Sequence, residues 1–187
     1  MTTHIVEMDS RPAAALVERA VAGDEAAFAR IVADHHDAME RVAYIVTGDL
    51  DLADDATAAA WSLAWRRLGS LREPEKLRSW LVSIAANEAR GLVRSRRRHP
   101  VVEIQVAADL AADGFDLSTH DADLDLANAL ARLHPDDRAL LALRYVAGFN
   151  SFELARATGR SASGTRARLA RLLARLRTEL DDDGARR

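Results

Sequence analysis

The chain has no cysteine, which excludes both a disulfide framework and a thiolate metal site, and nothing in it asks for an oxidising compartment. It also lacks any run approaching the roughly 18 uninterrupted apolar residues of a membrane span. Residues 1–12, with His4, Glu7, Asp9 and Arg11, lack the basic start and apolar centre of a signal peptide. The expected location is therefore the cytoplasm, with no membrane anchor. What is present, 187 residues of which 49% are hydrophobic and 29% charged, fits a globular chain of one ordinary domain or two small ones.

The net charge of −3 argues against a nucleic-acid partner only if the charges are evenly spread, and they are not. Between 99 and 125 stand Glu103, Asp109, Asp113, Asp116, Asp121, Asp123 and Asp125 without a lysine or arginine; leaving these acids out brings the chain to +4. Between 160 and 177 the pattern inverts to Arg160, Arg166, Arg168, Arg171, Arg175 and Arg177 without an acid. A local basic stripe is what phosphate contact requires, because counterion release depends on the charges facing the nucleic acid. The acidic stretch also carries Pro100 and Gly114 and interrupts helical periodicity, so it reads as a linker. The expected organisation is all-α: a helical domain over 1–98, the acidic linker over 99–125, a second helical domain over 126–182 and a tail over 183–187.

In the first domain Leu16, Ala20 and Val21 predict a helix stopped at Gly23-Asp24. Phe28, Ile31, Val32, His35, Met39, Val42, Ala43 and Val46 continue an apolar face to Thr47-Gly48. Asp51 opens a third helix on whose apolar stripe Trp61, Ala64, Trp65 and Leu68 recur, and both tryptophans read as core. A loop from Gly69 to Lys76, with Pro74 inside, leads to a helix with inner face Trp80, Leu81, Ile84, Ala85 and Glu88, with Leu92 beyond. It ends in Arg94-Ser95-Arg96-Arg97-Arg98.

The second domain begins with Leu126, Leu130 and Leu133 in a short helix closed by His134-Pro135. Asp136 or Asp137 caps the next helix, which runs from Arg138 to Ala147 and stops at Gly148. Ser151 to Thr158, then Gly159 and Ser161 before a long helix, form a helix-turn-helix pattern, with the small Ala155 where the helices approach. On the last helix Leu169, Leu172, Leu173, Leu176 and Leu180 make one stripe and Arg168, Arg171 and Arg175 lie nearly opposite. Ser161, Ser163, Thr165 and Arg166 at its entry are placed to donate to phosphates or base edges.

In this order and spacing the segments resemble an extracytoplasmic-function (ECF) sigma factor of the sigma-70 family. The similar stretches are Gly23 to Phe28, Asp51 to Leu68, Leu77 to Leu81, Ile84 to Asn87 with the arginine cluster beyond, Leu130 to Tyr145, and the helix-turn-helix. The resemblance implies a sigma-2-like bundle and a sigma-4-like domain that bind core RNA polymerase and direct promoter-specific initiation. It makes Asp54, Asp55 and Arg66 candidates for polymerase contact. Arg72, Lys76, Arg78, Trp80, Asn87, Arg90 and Arg94 become candidates for opening the minus-ten element and holding an unstacked base, with Trp80 equally readable as core. The last helix, with Ser161, Ser163, Thr165, Arg166, Arg168, Arg171 and Arg175, would read the minus-thirty-five element. The acidic linker resembles the connector that threads the polymerase's nucleic-acid channels. An anti-sigma protein is a further partner to test for.

One departure stands out: Ala58-Ala59 occupies the place of the family's usual Gln-Glu pair, which removes two polar contacts to the core enzyme. Thr158 and Arg160 are a milder change near the turn. Two other readings remain open at this level. A regulator that binds DNA through 126–180 without polymerase accounts for the helix-turn-helix but not for the loop, tryptophan and arginines of 69–98. A hydrolase or metal enzyme built on a helical bundle and using His35, His36 and Asp34 or Asp37 is opposed by adjacent histidines pointing to different sides of a helix. No catalysis, cofactor or metal is expected.

Overall fold

A computed structural model describes residues 10–98, 126 and 128–185, and all the regular structure among them is helical. The acidic linker and the ends of the chain fall outside the described residues. Helix α1 (Ser10–Val21) precedes α2 (Glu25–Thr47), whose N-cap Asp24 accepts the Ala27 amide at 3.0 Å. Helix α3 (Leu50–Arg67) is capped by Asp49, which accepts the Leu52 amide at 3.0 Å, and not by Asp51 as the sequence predicts. Asp51 lies in the first turn, where a carboxylate still suits the helix dipole. Burial pushes the Asp49 carboxyl up, but the Leu52 amide and Arg96, whose Nη1 donates to its Oδ2 at 2.6 Å, outweigh this and hold it below the usual range. That pair ties the start of α3 to the end of α4 (Leu77–Arg98).

The first half packs small against large. Helix α3 contributes Ala53, Ala56, Ala60 and Ala64, all fully buried, so its backbone can approach α2 and α4 closely. Those two supply the volume with Ile31, Met39, Val42, Val46, Leu81 and Val82. Each such aliphatic side chain contributes about 1.5–3 kcal/mol on burial. Two predicted inner positions differ: Val21 is exposed where α1 ends, with Val17 inside instead, and Glu88 is only half-buried.

In the second half a helical turn at 128–131 is followed by α5 (Pro135–Leu141) and a π-helical segment, Ala142–Val146. His134 caps α5, its Nδ1 accepting the Asp136 amide at 3.3 Å, with Pro135 in the first turn where the missing N–H costs nothing. This corrects the expectation that Asp136 or Asp137 is the cap, and leaves both carboxylates available elsewhere. Helix α6 (Ser151–Thr158) opens with a capping box. The Asn150 side chain accepts the Phe152 and Glu153 amides, and the Glu153 carboxylate accepts the Asn150 amide at 2.8 Å. Gly159, at φ 66°, supplies the left-handed turn before α7 (Ala162–Ala185), which runs past residue 182, where the sequence places the domain's end.

The two halves share one core. Leu140, Leu143, Phe149 and Leu154 belong to the same buried cluster as Ile31, Val46 and Leu81, and the second half keeps a smaller cluster of its own, with Leu133, Leu141, Leu172 and Leu176.

Candidate nucleic-acid and polymerase interfaces

The outer face of α3 carries Asp54, Asp55, Ala58 and Arg66, all exposed. Its C-terminal end is aromatic: Phe28 of α2 meets Trp61 edge-on at 5.8 Å and Trp65 at 4.6 Å. Trp61 is half-buried and its indole N–H donates to His36 Nδ1 at 3.2 Å. Trp65 is 42% exposed, so the expectation that it is a core residue holds only for the face against Phe28.

The loop between α3 and α4 folds as two 3₁₀ turns, Leu68–Ser70 and Pro74–Lys76. It forms one wall of a groove of about 810 Å³, and Arg72, Lys76, Trp80 and Asn87 all line it. The opposite wall comes from the second half: Phe149, Phe152, Glu153 and Arg156. Trp80 packs partly on the core while its remaining surface lines the groove, so both sequence readings of it apply. Lys76 is ion-paired with Glu73, whose carboxyl is held below its usual range by that hydrogen bond and charge. Phe152 is 75% exposed at the groove's edge.

Arg78, Arg90 and Arg94, the remaining minus-ten candidates, engage the second half. Arg78 Nη1 donates to the Ala147 carbonyl at 3.1 Å. Arg90 Nε lies 2.9 Å and Arg94 Nη1 3.5 Å from the same Asp136 Oδ1. Arg78 stands on the side of α4 away from the groove, whereas Arg90 and Arg94 continue the face of Ser83 and Asn87 farther along the helix.

On the helix-turn-helix, Ser163, Arg166 and Arg171 are exposed at and beyond the entry of α7. Ser161 is also exposed, although its hydroxyl accepts the Gly164 amide at 3.1 Å. Thr165 must be taken off the contact surface. It is fully buried and its hydroxyl donates to the Ser161 carbonyl at 2.9 Å, so it stabilises the first turn and presents nothing outward. Arg168 also departs from the expected face: its Nε donates to Asp137 Oδ1 at 2.6 Å, back toward α5. Arg175 is exposed but paired with Glu179 at 2.8 Å, one turn on. Sequence reasoning missed Arg138 and Arg156. Arg138 is 6% exposed and its Nη2 donates to the Thr47 carbonyl of α2 at 3.3 Å. No local signal marks it, because the carbonyl that holds it stands 91 positions earlier in the chain.

Among the described residues there is no group of histidines and acids able to hold a metal ion. His36 is engaged with Trp61 and Asp34 with Arg30, so the histidine pair does not converge on one point.

The Sigma-70 region 2 family matches residues 31–99 and the Sigma-70 region 4 family residues 123–176. The chain is 31% identical to the ECF RNA polymerase sigma factor BldN of Streptomyces coelicolor, over 95% of this chain and 69% of that protein. It is 32% identical to SigM of Mycobacterium tuberculosis, also an ECF sigma factor, over 90% of this chain and 88% of that one. The probable sigma factor RfaY of Xanthomonas campestris is 32% identical over 86% of this chain, which spans only 42% of that protein's length. Among solved structures, CnrH in complex with the cytosolic domain of CnrY aligns with a TM-score of 0.66 at 25% identity, covering 90% of this chain and 96% of that one.

Proposed function

The chain belongs to the ECF group of sigma-70 family RNA polymerase sigma factors, and from that premise we propose that its Arg72–Lys76–Trp80–Asn87 groove receives the unpaired minus-ten strand. The factor binds core RNA polymerase and directs promoter-specific initiation. The observation that carries the groove assignment is convergence: four residues spread over sixteen positions of sequence line one open groove. An indole face offers stacking to any base, and two cations beside it suit the flanking phosphates. Lys76 would exchange Glu73 for phosphate, an even trade for a partly exposed pair. Asp54, Asp55 and Arg66 form the polymerase side, and Ser161, Ser163, Arg166, Arg171 and Arg175 the minus-thirty-five side.

The domain limits proposed for these roles are 1–98 and 126–182, with 99–125 as connector. The match to region 2 accounts for the half of the chain that a polymerase-independent regulator leaves unexplained. The protein acts as a transcription factor rather than an enzyme, in the cytoplasm; no described helix is long and apolar enough to cross a membrane. An anti-sigma partner belongs to this reading by analogy with CnrH, which was solved with a partner's cytosolic domain.

The test is run-off transcription with core polymerase on genomic fragments, followed by permanganate footprinting on a fragment that is transcribed. Arg72→Ala with Lys76→Ala should leave closed-complex formation near normal, reduce thymine reactivity, and regain activity on a template mismatched across the minus-ten region. A folded double variant that stayed inactive on the premelted template would remove the groove from the mechanism.

A further inference from the structure

The groove has two walls, and only one of them belongs to the first half. Arg72, Lys76 and Trp80 stand on that wall, and Phe152 and Arg156 of α6, both exposed, stand opposite. The minus-ten reading uses the first wall alone and gives the second no task. Yet the second wall repeats the chemistry of the first, an aromatic ring beside a cation. Phe152 is 75% exposed although Phe149 nearby is buried in the shared core, so packing does not account for its place.

The charges at the groove favour an anion held between the walls. Among the described residues neither Arg72 nor Arg156 makes a hydrogen bond or an ion pair. Of the acids lining the groove, Glu153 is committed to the Asn150 amide and Glu73 to Lys76, so the two arginines carry the uncompensated charge. Glu73 shows that both walls act on one anion. Its carboxyl is held low by the Lys76 hydrogen bond first and the Lys76 charge next; burial opposes, and Arg156 on the opposite wall adds to the lowering.

At about 810 Å³ the groove lies in the range of about 300–1,000 Å³ that small-molecule sites occupy. Its rings suit a flat heteroaromatic system, its guanidiniums suit phosphate oxygens, and the exposed Asn87 amide offers a base edge both a donor and an acceptor. The geometry points to a ligand site for a free purine nucleoside triphosphate, with the base between Trp80 and Phe152 and the polyphosphate between Arg72 and Arg156. Both walls meet only while the two halves are packed together, so a nucleotide that touches both stabilises that packing by linkage. The first wall is shared with the minus-ten strand and to that extent the proposal rests on that reading; the second wall is what it adds.

The site is tested by isothermal titration of the full-length factor with ATP, in the absence of polymerase and promoter DNA. ATP should bind saturably and raise the melting temperature. Adenosine and tripolyphosphate, which carry the two parts of the ligand separately, should each bind at least about tenfold more weakly. Phe152→Ala and Arg156→Ala should each weaken ATP by about tenfold, the size of one lost stacking or charged hydrogen-bond contact. Both side chains are exposed, so circular dichroism should be unchanged, and Phe152→Trp should keep the affinity that Phe152→Ala loses. Arg177→Ala, exposed on α7 and outside the groove, removes the same charge and should leave ATP binding as it is. If tripolyphosphate binds as well as ATP, or Arg177→Ala weakens ATP as much as Arg156→Ala does, only diffuse charge attraction is present and the site falls. If Arg72→Ala weakens ATP while Phe152→Ala and Arg156→Ala do not, the two-walled site is overturned and the minus-ten groove stands. A titration without saturable binding overturns the proposal and leaves the minus-ten assignment to its own permanganate test.

Discussion

The first half of the molecule supplies most of the shared core, and the second half supplies less of it and keeps a small cluster of its own. Helices α2, α3 and α4 bury Ile31, Met39, Val42, Val46 and Leu81 against an alanine stripe, so most of that core is built within 25–98. The helix-turn-helix half owns a smaller cluster around Leu133, Leu172 and Leu176 and places Leu140, Leu143, Phe149 and Leu154 against the first half. A module that must reach a duplex at a distance from its partner gains by having a core small enough to detach. The surfaces differ too: the first half carries an acidic helix face, the groove runs between the two halves, and several basic groups at the junction are engaged inside the protein.

The largest effect that can sharpen this contrast is a cavity in the first core. Leu81→Ala should cost about 2–5 kcal/mol, because a fully buried leucine leaves a space its rigid neighbours fill only in part. Leu176→Ala, at the smaller cluster, should cost less. All three tryptophans lie in the first half, so urea unfolding followed by fluorescence reports that half while circular dichroism reports both. Leu81→Ala should shift both curves, and Leu176→Ala the dichroism more than the fluorescence. Equal shifts in both signals for Leu176→Ala would make the halves one cooperative unit and end the contrast.

A smaller change concerns the outward face of the first half. Ala58 is exposed and Ala59 half-buried on α3, between Asp54, Asp55 and Arg66. Replacing them as Ala58→Gln with Ala59→Glu restores the polar pair usual at this place. It should strengthen binding to core polymerase by about 1.5–3 kcal/mol if the partner groups are met, since hydrogen bonds to charged groups are worth that much. A fluorescence titration against core enzyme measures it. Unchanged or weaker binding would mean that this helix uses another surface, with the exposed edge of Trp65 the nearest apolar candidate.

What was legible in the sequence follows the range of the forces involved. The helix-turn-helix was legible because its signals are local: Asn150 and Glu153 close a capping box three residues apart, and Gly159 takes the one backbone conformation that favours glycine. The grouping of Arg72, Lys76, Trp80 and Asn87 came from family resemblance alone. Cap identity was legible only to within a turn, because Asp49 and Asp51 are chemically equal until Arg96 arrives from α4 to choose one. Thr165 and Arg168 were misplaced for a related reason. A threonine near a helix entry can face outward or bond its own turn, and an arginine's long stem can carry its charge to either side. Arg138 and the docking of the two halves were out of reach, since a charge inside an apolar face is decided by the carbonyl it meets ninety-one positions earlier in the chain.

The smallest expected effect lies where the halves touch. His35 of α2 has its pKa lowered by burial first, with Asp34 opposing and the positive Arg78 adding to the lowering. Arg78 is also the residue that donates to Ala147 of the second half. Above the unfolded histidine's pKa of about 6.5 the ring is neutral in both states and imposes nothing on stability. As pH falls through that value the unfolded chain binds the proton first, so stability declines until the folded ring titrates as well, and is then level. Thermal melting of the full chain should therefore lose stability as pH falls through about 6.5, and His35→Gln should flatten that slope. The decline sits above the range where carboxylates such as Asp49, depressed in the folded state, begin to be lost on acidification, so the two are separable on one titration. A slope unchanged by His35→Gln would place the pH response elsewhere and leave Arg78 as a strap indifferent to its neighbour's charge.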